Sequence, residues 1–577
     1  MSGAIETDVA IVGCGPAGST LASILRKYRP ALRVDLFERT AFPREHVGES
    51  LLPLVCSVLD EMGCWDAVER AGFPVKIGAT YRWGTTPDLW DFEFLGGAPF
   101  SQQARPGRYE GQRRETAFQV ERALFDSILL DNAKERGTHV HQPRRVDRVL
   151  REGDRVAGLV LDDGGTVHAR HYVDASGGTG VLRRAMGVAV EEPTQLQNVA
   201  FWDYWEDAEW AVTIGTTATR VLVMSLPYGW LWFIPVGPTR TSIGLVVPAK
   251  RYKEMGLSPE ELYLRAMAEE PKIRELTESA TREGNVRGTK DWSFRAERLV
   301  GENWYLAGES AGFADPILAA GITLAMTGAR ELAYTILEIE RGKLDAPWLK
   351  ATYGATQLAR IGQHIQFADF WYSANGQFSD LKEFTRGIAR DAGLELDANQ
   401  AFQWLGTGGF AHDAEAAAGV AEFSVALLKQ LVQRLTDTKA DWAVNHFNVF
   451  RLNLEGATLT RAARYRAGGV ERTDAYVRGD KTWPLRDLFS LVFQVLQREK
   501  TVEGIVGRLH AHARSTGTDP GRLLENAIEV LEALVHEGWV VGKFDPKHKP
   551  LTAVTNANAG AVRDNADIPP ARRAAAE

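Results

Sequence analysis

The 577-residue chain has little cysteine: three residues, Cys14, Cys56 and Cys64. An odd, sparse set without metal-ligand spacing excludes a disulfide scaffold, points to no metal, and suits a reducing cytoplasm. No uninterrupted apolar stretch approaches the ~18–20 residues of a membrane-spanning helix. No signal-peptide pattern precedes the first apolar run, so a cytoplasmic location is expected. A large excess of one charge is also missing. There are 67 basic and 75 acidic residues, a net of −8, which argues against a protein drawn to nucleic acid or to a membrane surface. No internal repeat is evident. What is present is 45% hydrophobic residues, enough for a large core, on a length that exceeds one typical domain. A soluble enzyme is the expectation.

The most legible segment is TDVAIVGCGPAGSTLASILRKY, near the N-terminus. Residues 9–12 read as a buried parallel strand. Gly13, Gly15 and Gly18 then form a GxGxxG turn, with Ala17 among the residues facing the ligand. The first glycine permits the tight turn. The second lets the backbone approach a pyrophosphate, and the third lets the helix close on the strand. The helix start offers free N–H groups and the positive end of its dipole. A second strand, RVDLFER, reaches Glu38 and Arg39, where an acid about 20 residues beyond the glycines takes ribose hydroxyls. Together these predict a dinucleotide site in an α/β, Rossmann-like domain.

Three later segments indicate which dinucleotide. AFQVERALFDSILLDNAKERG (117–137) places Arg122 and Asp126 on a helix; HYVDASGGTG (171–180) is a strand running into a small-residue loop. NWYLAGESAGFADPILAAGITLAMTGAREL (303–332) is strand, loop, then a long helix starting near Pro316. Such dispersal resembles FAD proteins of the para-hydroxybenzoate-hydroxylase type, in which a substrate domain interrupts one FAD domain. The resemblance implies that the loop with Gly308 and Glu309 follows the ribityl chain. The helix after it, with Pro316, Gly321 and Ile322 at its approach, would point its N-terminus at the flavin pyrimidine and favour a reduced, anionic flavin. Residues 80–110 and 190–285 carry strand alternation with Gly/Pro turns and are expected to form the inserted antiparallel sheet. Within them, 251–278 reads as helical, with Ser258 and Glu261 in capping-box spacing.

Three further units are expected beyond the FAD module of 1–345. Residues 346–480 read as a helical subdomain, 481–550 as a winged-helix-like unit without a basic recognition helix, and 551–577 as a mobile tail.

Three stretches sharpen the resemblance: FPREHVGESLLP (42–53), FPVKIGATYRWG (73–84) and WLWFIP (230–235). Together they are similar to the flavin-dependent halogenases, clearly over about 5–345, with the flavour of the subgroup acting on phenolic or pyrrolic groups held on a carrier protein. The WxWxIP pattern falls on Trp230, Trp232, Ile234 and Pro235. On a strand the two indoles share a face, and the family likeness makes them a barrier between flavin and substrate. The same likeness makes Lys76 the lysine that receives hypohalous acid formed at reduced FAD from oxygen and chloride or bromide. Burial would depress its pKa and permit capture. Glu49 is its carboxylate partner by resemblance, and Ala320 and Gly321 supply halide-binding backbone N–H groups. Three positions depart from the pattern. Ala319 stands where many relatives have serine, Glu309 where aspartate is usual, and Leu318 where tryptophan halogenases have glutamate.

The implied function is chlorination or bromination of an electron-rich aromatic or heteroaromatic group in secondary metabolism. The implied partners are a separate flavin reductase and a small substrate, free or on an acyl or peptidyl carrier. The alternatives are a monooxygenase or dehydrogenase of the same fold that meets its substrate at the flavin, and a non-enzymatic scaffold.

Overall fold

The computed structural model describes residues 3–94, 116–213, 218–391, 425–437, 439, 441–479, 481–551 and 562–568. Strand Ile5–Val12 lies between Val34–Phe37 and Thr166–Asp174, parallel to both. His139–His141 extends one side in parallel, and Trp304–Leu306 joins the far half of Thr166–Asp174. Val146–Glu152 and Arg155–Leu161 add an antiparallel flank. Val9 through Val12 are all buried, which is why this strand reads as a continuous apolar run; both its faces are covered. Segments over 290 residues apart in sequence thus become neighbours at one end of this sheet.

The inserted sheet is the larger one. Gln197–Glu206, Arg240–Pro248, Gly229–Pro235 and Ala218–Leu226 pair antiparallel in that order. Ala218–Leu226 then pairs parallel with Val75–Arg82, and Leu89–Glu93 follows antiparallel. The expectation of a purely antiparallel insertion is therefore corrected at one seam. Two strands separated by well over a hundred residues are not bound to hairpin geometry. Positions 95–110 of the expected insertion lie outside the described residues. One face of the sheet packs on helices Pro259–Glu269 and Pro271–Leu276, burying Leu222, Phe233 and Leu245 against Leu262 and Ile273. Ser258 and Glu261 form the reciprocal capping box. The other face carries Trp230, Trp232 and Ile234.

Helix Ala346–Ser373 seals that second face. It is held to helix Gly321–Arg341 by a buried two-pronged ion pair, Arg360 to Glu331 at 2.7 and 2.8 Å, which Gln357 joins. Helices Lys382–Asp391 and Val425–Thr436 follow. The expectation of helix throughout 346–480 does not hold beyond that point. Thr458–Arg466, Gly469–Arg478 and Lys481–Pro484 form a three-stranded meander, and Val449–Leu452 is also a strand. The first hairpin turns at Gly468, whose φ of +76° favours glycine. Its strands are arginine-rich and only partly buried, so the alternation that marks a strand is faint.

The C-terminal unit has three helices, Asp487–Arg498, Val502–Thr516 and Pro520–His536. Its closing strand Val540–Lys543 pairs with Val449–Leu452 from upstream instead of forming a hairpin wing of its own. Part of the expected mobile tail is ordered: Val562–Asp564 adds a strand to the edge at Trp90–Phe92. Arg563 reaches Asp91 (3.2 Å), Glu93 (3.0 Å) and Asp567 (2.8 Å), and buried Arg220 reaches Asp567 (2.9 Å). The tail's polar composition conceals this, because the charges it answers lie some 470 positions earlier in sequence. Positions 552–561 and 569–577 lie outside the described residues.

Candidate active site

At the carboxyl ends of the parallel strands lies a cleft of about 440 Å³, lined by the glycine turn, residues 37–40, and 307–309 with Gly321 and Ile322. This is where open α/β sheets bind dinucleotides. Gly13 has φ +106°, and a Cβ there would stand 2.3 Å from the Ala175 carbonyl oxygen. A Cβ on Gly18 would stand 2.0 Å from the Gly13 carbonyl oxygen. Gly15 and Ala17 face the cleft itself. Gly13→Ala adds both the left-handed strain and a backbone clash, so FAD affinity is expected to fall about tenfold or more. The flavin absorbance retained after gel filtration measures it; full retention would contradict the assignment.

Two helices aim uncapped N-termini at this region. Neither Pro16–Tyr28 nor Gly321–Arg341 has a side-chain cap or an acid in its first turn. Elsewhere Ser258, Asp345, Thr501 and Asp519 cap their helices. Free N–H groups at the positive end of a helix dipole fit the pyrophosphate of FAD at one helix and the electron-rich pyrimidine edge of its ring at the other.

Glu38 binds the cleft wall together: its carboxylate accepts the N–H of Cys14 (3.0 Å) and of Thr40 (3.1 Å). Arg39 and Arg122 line the cleft, as do Arg144 and Arg145, which the motifs did not single out. The Arg122 guanidinium is already committed, paired with Asp126 at 2.8 and 2.9 Å and donating to the Val47 carbonyl at 2.7 Å. Burial raises the pKa of Glu309, and Arg122 opposes the rise. Pro316 opens a one-turn helix, Pro316–Leu318, rather than the long one. Ala319, in the serine position, has φ +52°, a conformation costing a non-glycine residue about 1 kcal/mol. Ala320 follows as the N-terminal cap position of the long helix.

Lys76 lies in strand Val75–Arg82 beside a bulge: Lys76 pairs with Thr219 but Gly78 with Arg220. Its side chain is 2% exposed; Nζ donates to the Leu51 carbonyl at 3.0 Å and lies 5.3 Å from the centre of the Phe94 ring. Burial alone lowers its pKa from 10.5 to about 7. Glu49 is buried too, but the structure does not bring it to Lys76 as an ion pair. Its carboxylate accepts the Tyr204 hydroxyl at 2.7 Å, and burial lifts its pKa to about 7 against the bond from Tyr204. Two residues apart on an extended stretch, Glu49 and Leu51 serve different sites. Among the described residues no carboxylate lies within 4 Å of the Lys76 amine. The acid expected to partner Lys76 is thus a carbonyl, a group that motif reading does not assign.

All of Gly229–Pro235 is buried. Trp230 and Trp232 share one face, with ring centres 6.1 Å apart, alongside Ile234 and against Leu318 and Ala320. Trp232 lies flat over Gly244, where a Cβ would come within 2.2 Å of the indole. Trp83 stands edge-on to Trp230, and the Trp230 indole N–H donates to the Tyr372 hydroxyl at 2.7 Å. The aromatic cluster is therefore wider than the motif: strand 75–82, its sequel and helix Ala346–Ser373 all add aromatic rings. Tyr204, Asp315 and Tyr372 had no local signal; the tyrosines alternate with other aromatics in ordinary core fashion.

The family model described as FAD binding domain matches residues 6–368, more than half of the chain. A 1H-pyrrole-2-carbonyl-(peptidyl-carrier protein) chlorinase of Pseudomonas fluorescens is 31% identical over 346 residues, covering 58% of this chain and 76% of that protein. This chain belongs to the flavin-dependent halogenases. A tryptophan 2-halogenase of Chondromyces crocatus is 33% identical over 59% of this chain; the match spans 63% of that protein, so less than two thirds of that relative's length is matched. Among solved structures, the flavin-dependent halogenase CmlS aligns with a TM-score of 0.72 at 26% identity, over 95% of this chain and 98% of that one. The myxobacterial chondrochloren halogenase CndH aligns with a TM-score of 0.58 at 30% identity, over 67% and 90%. The FAD fold, the cofactor and the enzyme class expected from the sequence agree with these findings. No helix among the described residues is long and apolar enough to cross a membrane.

Proposed function

We propose that this chain halogenates an electron-rich aromatic or heteroaromatic ring, with Lys76 as the group that receives and delivers the halogen. Bound as reduced FAD, the cofactor supplies, with oxygen, the oxidation of chloride or bromide to hypohalous acid. The observation that carries the reading is the state of Lys76: a buried amine with a pKa of about 7, touched by a carbonyl and an aromatic ring and, among the described residues, by no carboxylate. A carboxylate beside it would hold the ammonium form, which has no lone pair for the halogen. The neutral amine has one. It can hydrogen-bond hypohalous acid, or exchange N–H for N–halogen with release of water.

The aromatic wall around Trp230 and Trp232 keeps an organic substrate from the flavin, and Ala320 and Gly321 offer backbone N–H groups to the halide. Glu49, bound to Tyr204, supports the wall of the site and does not tune Lys76. The substrate class rests on the named relatives. Their printed names combine a pyrrole on a peptidyl carrier with tryptophan, and both contain an electron-rich nitrogen heterocycle. Leu318 in place of glutamate weighs against free tryptophan, and in favour of a ring presented on a carrier. A separate flavin reductase is the natural electron source, since the sequence holds one strand–GxGxxG–helix unit.

Purified protein supplied with FAD, a flavin reductase, NADH, oxygen and bromide should place the bromine isotope doublet on a phenol or pyrrole, free or as a carrier thioester. Hydroxylated products alone would overturn the proposal in favour of a monooxygenase. The lysine also predicts a pH dependence. Halogenation should rise as pH increases through about 7 and then level off, as the amine loses its proton. Reoxidation of the flavin, measured in the same samples by absorbance, should not follow that curve. A halogenation rate that fell on raising pH through 7 would mean that the ammonium form delivers the halogen.

A further inference from the structure

A buried polar chain joins the turn 315–321 to the tryptophan wall. Asp315 is 2% exposed. One carboxylate oxygen accepts the Ile317 N–H at 2.9 Å and the Tyr372 hydroxyl at 3.3 Å; the other accepts the Asn198 amide at 3.1 Å. The Tyr372 oxygen in turn accepts the Trp230 indole N–H at 2.7 Å and the second Asn198 N–H at 3.3 Å. The four residues come from the turn, helix Ala346–Ser373, and strands Gln197–Glu206 and Gly229–Pro235.

The direction of these bonds is forced. An indole N–H only donates, a tyrosine hydroxyl that accepts twice has one proton left to give, and both Asn198 protons are used. The chain needs an acceptor at its end, and that acceptor is the Asp315 carboxylate. Packing alone excludes substrate without any such bond. What the chain adds is a fixed rotation for the Trp230 ring, referenced to the same turn that presents Ala320 and Gly321. We propose that Asp315 is a positioning residue that, through Tyr372 and Asn198, locks the Trp230 indole to the halide-presenting turn, so that barrier and turn keep one geometry. The proposal rests on the halogenase reading for its consequence, and on the hydrogen bonds for its geometry.

The test uses full-length, FAD-loaded protein labelled with 5-fluorotryptophan, with the Trp230 resonance assigned by Trp230→Phe. That resonance should shift or broaden in Asp315→Ala and in Tyr372→Phe. It should largely return in Asp315→Asn, whose amide oxygen still accepts from Tyr372 and Ile317 and so keeps the Trp230–Tyr372 link, while the Asn198 amide turns its Oδ1 to the new NH2 and gives up only its 3.3 Å bond to Tyr372. Chloride affinity, read from the bound flavin spectrum, should weaken about tenfold in Asp315→Ala and stay unchanged in Tyr372→Phe, which leaves the turn's own bond intact. Halogenated product per flavin oxidised should fall in both. A Trp230 resonance identical to the parent's in Tyr372→Phe overturns the proposal, and that variant, lacking one buried oxygen, serves if Asp315→Ala does not fold. A parent that formed no halogenated product would sink the functional reading and leave the fluorine result to decide this one.

Discussion

Lys76→Met should abolish halogenation, with a loss of at least about a thousandfold in product formation, while the protein becomes more stable. Reduced flavin should still be reoxidised, because the lysine acts after the halide has been oxidised. A soluble hypohalite trap should therefore capture what the parent delivers to substrate. The stability gain follows from the amine's depressed pKa. In the unfolded chain Lys76 holds its proton up to about 10.5; in the fold it holds it only below about 7. Between these values the unfolded state binds more protons, so this residue's destabilising effect shrinks as pH rises. It is at full size below pH 7 and absent above about 10.5. A folded pKa of about 7 against 10.5 sets that cost on the order of 5 kcal/mol. Loss of the bond to the Leu51 carbonyl returns about 1 kcal/mol of it. Thermal melts of parent and Lys76→Met across pH 6–10 should show the gap closing as pH rises. A variant that melts lower than the parent at pH 6, or halogenates at the parental rate, would make Lys76 an ordinary structural residue.

Glu331→Ala should cost about 3–5 kcal/mol, because it removes the carboxylate that faces the buried Arg360 guanidinium. Glu331 is fully buried and Arg360 is 3% exposed, so water cannot take over. The pair fastens helix Ala346–Ser373, which carries Trp371 and Tyr372, to helix Gly321–Arg341, whose N-terminus faces the cleft. The urea midpoint, followed by flavin release, should drop sharply. Replacing both partners by apolar residues, as in Glu331→Leu with Arg360→Met, should recover most of the loss, since no charge is then stranded. If the single and double variants unfold together at the parental midpoint, the pair contributes nothing.

The FAD half of this protein was readable because its constraints are local. Gly13 and Gly18 stand where any side chain meets backbone, and the strand, turn, helix and second strand follow within about thirty residues. Lys76, Trp230 and Trp232 stand out through the resemblance of short motifs to the halogenase family, which is local in the same way. What surrounds them was not. Tyr204 and Glu49 meet across 155 positions, and Tyr372 and Trp230 across 142; nothing in either segment announces the other. The meander at 458–484 was hidden by long, half-exposed arginine side chains that blur alternation.

By itself, then, the sequence determined the FAD fold and the glycine-rich turn at the end of its first strand, while the lysine and the two tryptophans of the proposed site come from the likeness of short motifs to the flavin-dependent halogenases. Steric limits on backbone and the period of a strand act over a few residues and leave their mark in order. Only the tertiary structure decided that Lys76 has a carbonyl and, among the described residues, no carboxylate beside it, that Glu49 belongs to Tyr204, and that a stretch of the polar tail extends the large sheet. Burial and electrostatic pairing depend on what arrives from elsewhere in the chain, and a pKa is set by all of it at once.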